Sequence, residues 1–477
     1  MANKNETPAL ILSLLVTLAL IGAGAWWFVG RFNVGNVLRP SSPTATAPDA
    51  PDQGTSPGTD TPIAQRLSLG QQVLFPQGAS EDKTAAVAAI ANQNYSEAVR
   101  LLEASLQQNS NDPEALIYLN NARIGDGPSY TIAVSVPAGT VTNVALEILR
   151  GVAQAQNQVN QAGGINGTPL RVLIASDDDD LDTVKTVARS LVDDSKVLAV
   201  IGHFSSNASL AAAPIYNEGK LVMISPTSTS IQLSGQGNYI FRTVPSDRFT
   251  ATALSRHLMN TGQQRNVVVF FNGQSDYSIS LKNEFSTAFA TDGGQILSEV
   301  DITGNGFDPG NAVKAAQQQQ AEALVLLTNS GNIDTAIQMV AVNRRQLPLV
   351  GGDGLYSPKL LQIGGANSEG MVVTVPWIIQ ANAQSPFTKT ARQLWGGDIN
   401  WRTATAYDAV IAIVEGLRAN PTREGIDTTL RNSSFAVEGA TGSIRFLASG
   451  DRNLPMQLVK VAPGSRSGFG YDFVPAQ

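Results

Sequence analysis

Two apolar runs about twenty residues apart each break off into a cluster of hydroxyl side chains, and this repeated step from buried strand to polar loop to helix constrains the fold most. Val197-Leu198-Ala199-Val200-Ile201 leads into Gly202-His203-Phe204-Ser205-Ser206-Asn207, and Leu221-Val222-Met223-Ile224 leads into Ser225-Pro226-Thr227-Ser228-Thr229. Short continuous apolar runs of this kind read as strands buried on both faces, as in a parallel sheet, and the Ala-rich stretch 206–213 reads as the start of the crossover helix between them. In an open α/β sheet, ligands sit beyond the carboxyl ends of the strands, where loops expose backbone N–H groups and helix N-termini. Both hydroxyl clusters fall at that end of adjacent strands, so the pattern predicts a binding cleft. The alternation extends to strands at 130–136, 170–175, 267–270, 324–327 and 349–350, with helices between them, which gives an α/β fold class.

Longer strings carry a resemblance. Gly202-His203, Pro214-Ile215-Tyr216, Ile224-Ser225-Pro226 and Phe241-Arg242-Thr243-Val244-Pro245 follow one another in order. Ala162-Gly163-Gly164-Ile165-Asn166-Gly167 precedes them, and Gly351-Gly352-Asp353-Gly354, Ala406-Tyr407-Asp408-Ala409-Val410 and Gly442-Ser443-Ile444-Arg445-Phe446 come after. In this order and spacing, over roughly 130–477, the chain resembles the leucine/isoleucine/valine-binding family of ABC-transporter solute receptors. The resemblance implies a two-lobe type 1 periplasmic-binding fold over 127–477 that closes on a small solute. Lobe 1 is expected at 127–246 plus 377–445 and lobe 2 at 247–376 plus 446–477.

Composition agrees with a receptor and removes competitors. The 477 residues, 43% apolar and 15% charged, suffice for sizeable cores. A formal charge of −7 argues against a nucleic-acid partner, which would want clustered Lys and Arg. The absence of cysteine excludes a thiol nucleophile, Cys-type zinc sites, disulfides and a lipidated-cysteine anchor.

The N-terminus offers another way to hold a membrane. Residues 9–29 contain no charged side chain, and a helix of that length spans roughly 31 Å, matching a hydrocarbon core of about 30 Å. A cleaved signal peptide competes with an uncleaved anchor here. The length of the apolar stretch and Trp26-Trp27-Phe28 at its far end favour a transmembrane anchor over 1–38. Lys4, Arg31 and Arg39 leave its orientation open, and the resemblance places the bulk outside the cytoplasm. Next comes a linker over 39–79, whose Pro-, Ser- and Thr-rich first part, to Pro62, reads as a tether. At 80–126, Ala and Leu recur at helical spacing with Asp112 as an N-cap and Pro113 at the first helical position, a pattern that resembles a tetratricopeptide hairpin. It covers little more than one repeat, so a helical spacer packed on the receptor or on a second copy is preferred to a partner-binding groove.

An amino acid presents a carboxylate and an ammonium, so its site needs donors for one and acceptors for the other, shielded from water. Ser206 and the backbone of Asn207 fall at a predicted helix start that would face an anion, Thr229 can add a hydroxyl, and the Thr227 carbonyl can accept from the ammonium. The resemblance implies this work for Ser206, Thr227 and Thr229. It also implies that Asp353 faces the ammonium and that Tyr277 forms an aromatic wall on the second lobe. Phe204 is a candidate for the side-chain pocket. Departures from the family pattern, Ser278 for a glycine, Thr328-Asn329-Ser330 for a tyrosine and Val144 for an aromatic, alter the pocket. Aliphatic amino acids are the default ligand class, and a polar amino acid, an amide or another small carboxylate stays open.

No cofactor, metal or catalytic role is expected. The run Asp177 to Asp180 reads as a solvated loop with its last carboxylates at a helix N-terminus, and His203 reads as a structural hydrogen-bonding residue. No nucleophile elbow, Walker loop or His-Glu-x-x-His pair occurs. The reading is a membrane-tethered solute receptor that delivers an amino acid or similar carboxylate to ABC permease subunits. The alternative is a ligand-sensing or scaffold receptor that uses the same lobes without transport.

Overall fold

Six strands form one sheet and seven form a second. The structure, a computed structural model, describes residues 61–476. The first sheet holds β1 (Leu67–Ser68), β2 (Tyr130–Val136), β3 (Leu170–Ser176), β4 (Val197–Ile201), β5 (Val222–Ser225) and β6 (Ile240–Arg242) in the order β1-β3-β2-β4-β5-β6. All its pairings are parallel except β1 on β3. The second sheet holds β7 (Asn266–Phe271), β8 (Gln295–Asp301), β9 (Ala323–Leu327), β10 (Leu349–Gly351) and β11 (Val372–Val375), which are parallel, extended by the antiparallel strands β14 (Gln457–Pro463) and β15 (Tyr471–Pro475). A separate hairpin pairs β12 (Val437–Gly439) with β13 (Gly442–Ile444).

The central strands are buried along their whole length, as continuous apolar runs require when helices cover both faces. Three helices precede the first lobe's main strands: α1 (Glu81–Ala91), α2 (Tyr95–Gln108) and α3 (Pro113–Ile124). Lobe 1 is covered by α4 (Thr142–Gln161), α5 (Leu181–Asp193), α6 (Ser206–Glu218), α11 (Pro386–Trp395), α12 (Trp401–Ala419) and α13 (Arg423–Arg431). Lobe 2 is covered by α7 (Asp247–Arg256), α8 (Asp276–Thr291), α9 (Pro309–Gln318) and α10 (Ile333–Asn343). The chain therefore crosses between lobes after β6, after β11 and before β14. Gly151 on α4 permits the tight approach of α12, since a Cβ there would lie 2.2 Å from the Thr403 carbonyl oxygen.

The third crossing comes later than the lobe boundary expected at 445. The amide of Arg242 donates to the Gly450 carbonyl and that of Gly235 to the Ser449 carbonyl, so 446–452 stays on lobe 1. Of the linker expected over 39–79, the described residues 61–79 carry structure of their own. Leu67 and Ser68 add an edge strand to the first sheet, and the Arg66 guanidinium pairs with Asp178 at 2.7 Å. A two-residue strand is too short to leave a periodicity, which is why composition alone reads this stretch as tether.

The segment 80–126 is three helices rather than a hairpin of two. Asp112 caps α3 by accepting from the Ala115 amide, with Pro113 in the first turn, as the sequence predicts. Residues 113–122 of α3 are all buried, because the helix lies between α2 on one side and α4 and β3 on the other. Inside, the Lys83 ammonium bridges Asp112 and Glu114, each at 2.7 Å, so each buried charge has an opposite partner. Among the described residues no helix is long and apolar enough to cross a membrane, and the anchor expected at 1–38 lies outside them.

Candidate functional site

Three capped helix starts converge on one cavity of about 300 Å³ between the lobes. Ser205 caps α6 by accepting from the Ala208 amide, Ser275 caps α8 by accepting from the Ser278 amide, and Asn400 caps α12 by accepting from the Arg402 amide. These caps bring Ser206 and Asn207, Tyr277, and Trp401 and Arg402 to the cavity wall. Each start also presents the positive end of a helix dipole.

Lobe 1 supplies the hydroxyl side. Ser206 is buried, and its Oγ accepts from the Ser230 amide at 3.3 Å. The Thr227 hydroxyl donates to the Phe204 carbonyl at 2.7 Å, and Phe204 itself lines the cavity. Thr229 is buried just outside the lining residues. Its carbonyl accepts from the Asp247 amide at 2.9 Å, and its hydroxyl has no partner of good geometry among the described residues. Asn207, expected to act through its backbone, uses its side chain to span the lobes. Its Oδ1 accepts from the Asp276 amide at 3.0 Å and its Nδ2 donates to the Gln274 carbonyl at 3.3 Å.

Lobe 2 supplies a carboxylate held by a tyrosine. The Tyr277 hydroxyl donates to Asp353 Oδ1 at 2.9 Å and accepts from the Gly354 amide at 3.2 Å. Gly352 leaves the room for this, since a Cβ there would sit 2.5 Å from the Tyr277 oxygen. Burial raises the Asp353 carboxyl above its ordinary range, opposed by the positive field of Arg402 and the Tyr277 hydrogen bond. Burial, with Asp353 beside it, drives the Tyr277 hydroxyl well upward, so it stays a donor. The additional hydroxyl at Ser278 ties strand ends together: it accepts from the Asn272 amide at 2.7 Å and donates to the Leu327 carbonyl. Asn329 and Ser330 line the wall where the family pattern has a tyrosine, whereas Val144 packs partly buried against the core and Val141 lines the cavity.

The four consecutive aspartates are not a simple solvated loop. Asp177 is fully buried, with Oδ2 2.6 Å from His203 Nδ1 and accepting from the Ser135 hydroxyl at 2.8 Å. Asp178 pairs with Arg66, Asp180 caps α5, and Asp179 lines the cavity while accepting from the Ser205 hydroxyl. Burial pushes the Asp179 carboxyl up to about 6, with the Ser205 hydrogen bond pulling the other way. His203 is buried between Asp177 and the Tyr216 hydroxyl, 3.0 Å from its Nε2, in the structural role expected of it.

Arg402 is the residue that sequence reasoning missed. It is 4% exposed, and its guanidinium carbon lies over the Trp401 ring, 4.4 Å from the centroid. A Trp-Arg pair at the opening of an ordinary helix gives no signal of a pocket.

Beneath the site, Asp247 opens α7 where the chain first crosses between lobes. It is fully buried, and neither carboxylate oxygen has a partner of good geometry, although the Thr229 and Ser280 hydroxyls lie beside it. Burial pushes its carboxyl up to about 7. The unfolded chain ionises this group near 4 and the folded one only near 7, so stability is lost as pH rises through that window and stays lost above it. Asp247→Asn is therefore expected to raise Tm above pH 7, by an amount that shrinks toward zero near pH 4. Thermal melts of both proteins across that range check it, and a constant difference would show that the carboxyl is not the titrating group.

Comparisons with known proteins agree with this two-lobe fold. Residues 129–466 match the periplasmic binding protein family. A leucine-, isoleucine-, valine-, threonine- and alanine-binding protein of Pseudomonas aeruginosa is 25% identical over 315 residues, 63% of this chain and 81% of that one. A leucine-binding protein of Thermotoga maritima superposes with a TM-score of 0.65 at 25% identity, over 72% of this chain and 97% of that one. An ABC-transporter substrate-binding protein of Desulfitobacterium hafniense in complex with Leu gives a TM-score of 0.62 at 25% identity, over 72% of this chain and all of that one. With two α/β lobes crossed three times by the chain and a polar cavity between them, the chain belongs to the periplasmic binding protein family.

Proposed function

We propose that the chain is an extracytoplasmic receptor that captures an amino acid between its lobes and delivers it to an ABC-type permease, tethered by an N-terminal helix at 9–29. The observation that carries this reading is the facing of opposite chemistries across one cavity. Ser206 and the α6 start stand on one lobe, and the Tyr277–Asp353 pair stands on the other. The first set suits a carboxylate and the second an ammonium. Relatives named for binding leucine and other amino acids support the ligand class. Lobe closure fits the Asn207 contacts to α8, which form only when the lobes are together, so a ligand that touches both sides shifts the open–closed equilibrium. Burial of α3 against lobe 1 supports the helical segment at 80–126 as part of the receptor body.

Thermal melts of the full-length chain against amino acids and small carboxylates test this. Ligand at about a hundred times Kd adds about 2.7 kcal/mol to the folded state, a rise of several degrees in Tm. Ser206→Ala should remove most of that rise. A folded protein whose Tm responds to no amino acid or carboxylate would end the reading.

A further inference from the structure

Arg402 sits on the cavity wall with most of its hydrogen-bonding capacity unspent. Its Nη2 donates to the Ser330 hydroxyl at 3.2 Å and its Nη1 to the Tyr356 carbonyl at 3.4 Å, both long, while its Nε is buried with no partner. It makes no ion pair with a carboxylate among the described residues, although Asp353 and Glu147 act on it at longer range. Glu147 is already paired with Arg150 at 2.9 Å and accepts from the Thr403 hydroxyl at 2.8 Å. A guanidinium has five N–H donors in a planar fork suited to a carboxylate, and a buried charge without a close partner is costly.

Resting on the amino-acid reading above, we infer that the ligand carries a second carboxylate on its side chain and that Arg402 binds it, so the receptor selects an acidic amino acid. Charge balance leads there. The field of Asp353 partly offsets the Arg402 charge. Once a ligand ammonium neutralises Asp353, that offset is gone, and an aliphatic ligand would leave the guanidinium buried and uncompensated. A side-chain carboxylate restores it through paired N–H···O bonds, while the α6 start takes the main carboxylate. The wall also carries Asn272, Gln274, Ser275, Asn329 and Ser330 beside Phe204 and Trp401, polar surface that a charged side chain uses and an aliphatic one does not. The Trp401 ring, 4.4 Å from the guanidinium carbon, adds a cation–π contact that holds the charge at the wall.

Calorimetric titration of the full-length chain with L-glutamate, L-aspartate, L-glutamine and L-leucine tests this. One of the two acidic amino acids should bind at least about ten-fold more tightly than leucine. In Arg402→Gln that preference should collapse, the acidic ligand losing affinity and leucine gaining it, because no buried charge is then left uncompensated. Glutamate and glutamine differ mainly in charge, so their ratio on the unmodified chain decides the matter even if the variant does not fold. A leucine affinity equal to or above both acidic ligands, or an Arg402→Gln protein that keeps the preference, overturns the inference and leaves the amino-acid receptor standing. Binding of none of the four overturns the inference, and the wider panel of amino acids and carboxylates then decides the receptor reading.

Discussion

Replacing Asp353 with asparagine is expected to weaken ligand binding by about 30-fold or more while the protein still folds. Removing one partner of a desolvated charge pair costs roughly 2–5 kcal/mol, and each 1.4 kcal/mol is ten-fold in Kd. Asp353 meets the conditions for the larger part of that range. It is 3% exposed, held in place by Tyr277, and free of any ion pair among the described residues, so a ligand ammonium would be its first close counter-ion. The fold should tolerate the change because asparagine has the same shape and still accepts from the Tyr277 hydroxyl. The pH dependence carries a definite sign. Burial holds the Asp353 carboxyl above its ordinary range, and an ammonium is bound by the ionised form. Affinity should therefore fall as pH drops through that raised value in the unmodified protein, and the component due to Asp353 should be absent in Asp353→Asn. Titrations over a pH series on both proteins measure this. Equal affinity in the two proteins would place the ammonium elsewhere.

The parts of this site that are legible in the sequence are those made by contiguous residues. Ser206 and Thr227 fall within loops that directly follow apolar strands, and sheet topology carries such loops to the same edge. Asp353 and Tyr277 are singled out only by the family resemblance, and the structure joins them by a hydrogen bond across 76 residues of chain. Arg402 is illegible because its meaning lies in what surrounds it. The same Trp-Arg-Thr string on an exposed helix would be an ordinary cation, and only the α12 start facing lobe 2 makes it a buried one. The aspartate run misleads for a related reason. Like charges in a row suggest solvent, yet the chain turns so sharply there, with Asp178 and Asp179 both at positive φ, that successive side chains reach Arg66, Ser205 and the α5 N-terminus. Helical periodicity finds the segment at 80–126, and its shortness for a repeat array favours packing on the receptor, as α3 does against α4 and β3, but periodicity does not give the number of helices.

Arg242 shows how a residue far from any ligand can govern the site, and its loss should have the largest effect on stability. It is 1% exposed, and its guanidinium pairs with Asp451 at 2.6 Å, donates to the Ser230 carbonyl at 2.7 Å and the Ser228 carbonyl at 3.3 Å, and reaches the Ser234 hydroxyl at 2.7 Å. These bonds fasten the loop that carries Thr227 and Thr229 to the segment where the chain crosses between lobes for the third time. Arg242→Met fills much of the same volume but strands the Ser228 carbonyl and strips the Asp451 carboxylate of its cation, leaving it the Ser449 hydroxyl, while the Ser230 carbonyl keeps the Leu233 amide. The expected cost is roughly 3–5 kcal/mol, read as a drop of about 5–10 °C in Tm. Affinity should fall as well, because the loop loses the donors that hold its carbonyls in place. The double variant Arg242→Met/Asp451→Leu separates the two effects: removing the stranded carboxylate should recover part of the Tm but little of the affinity. If the double variant regains full affinity, the loop is held by its own turn hydrogen bonds, among them that from the Ser228 amide to the Ser225 hydroxyl, and Arg242 serves the crossing alone.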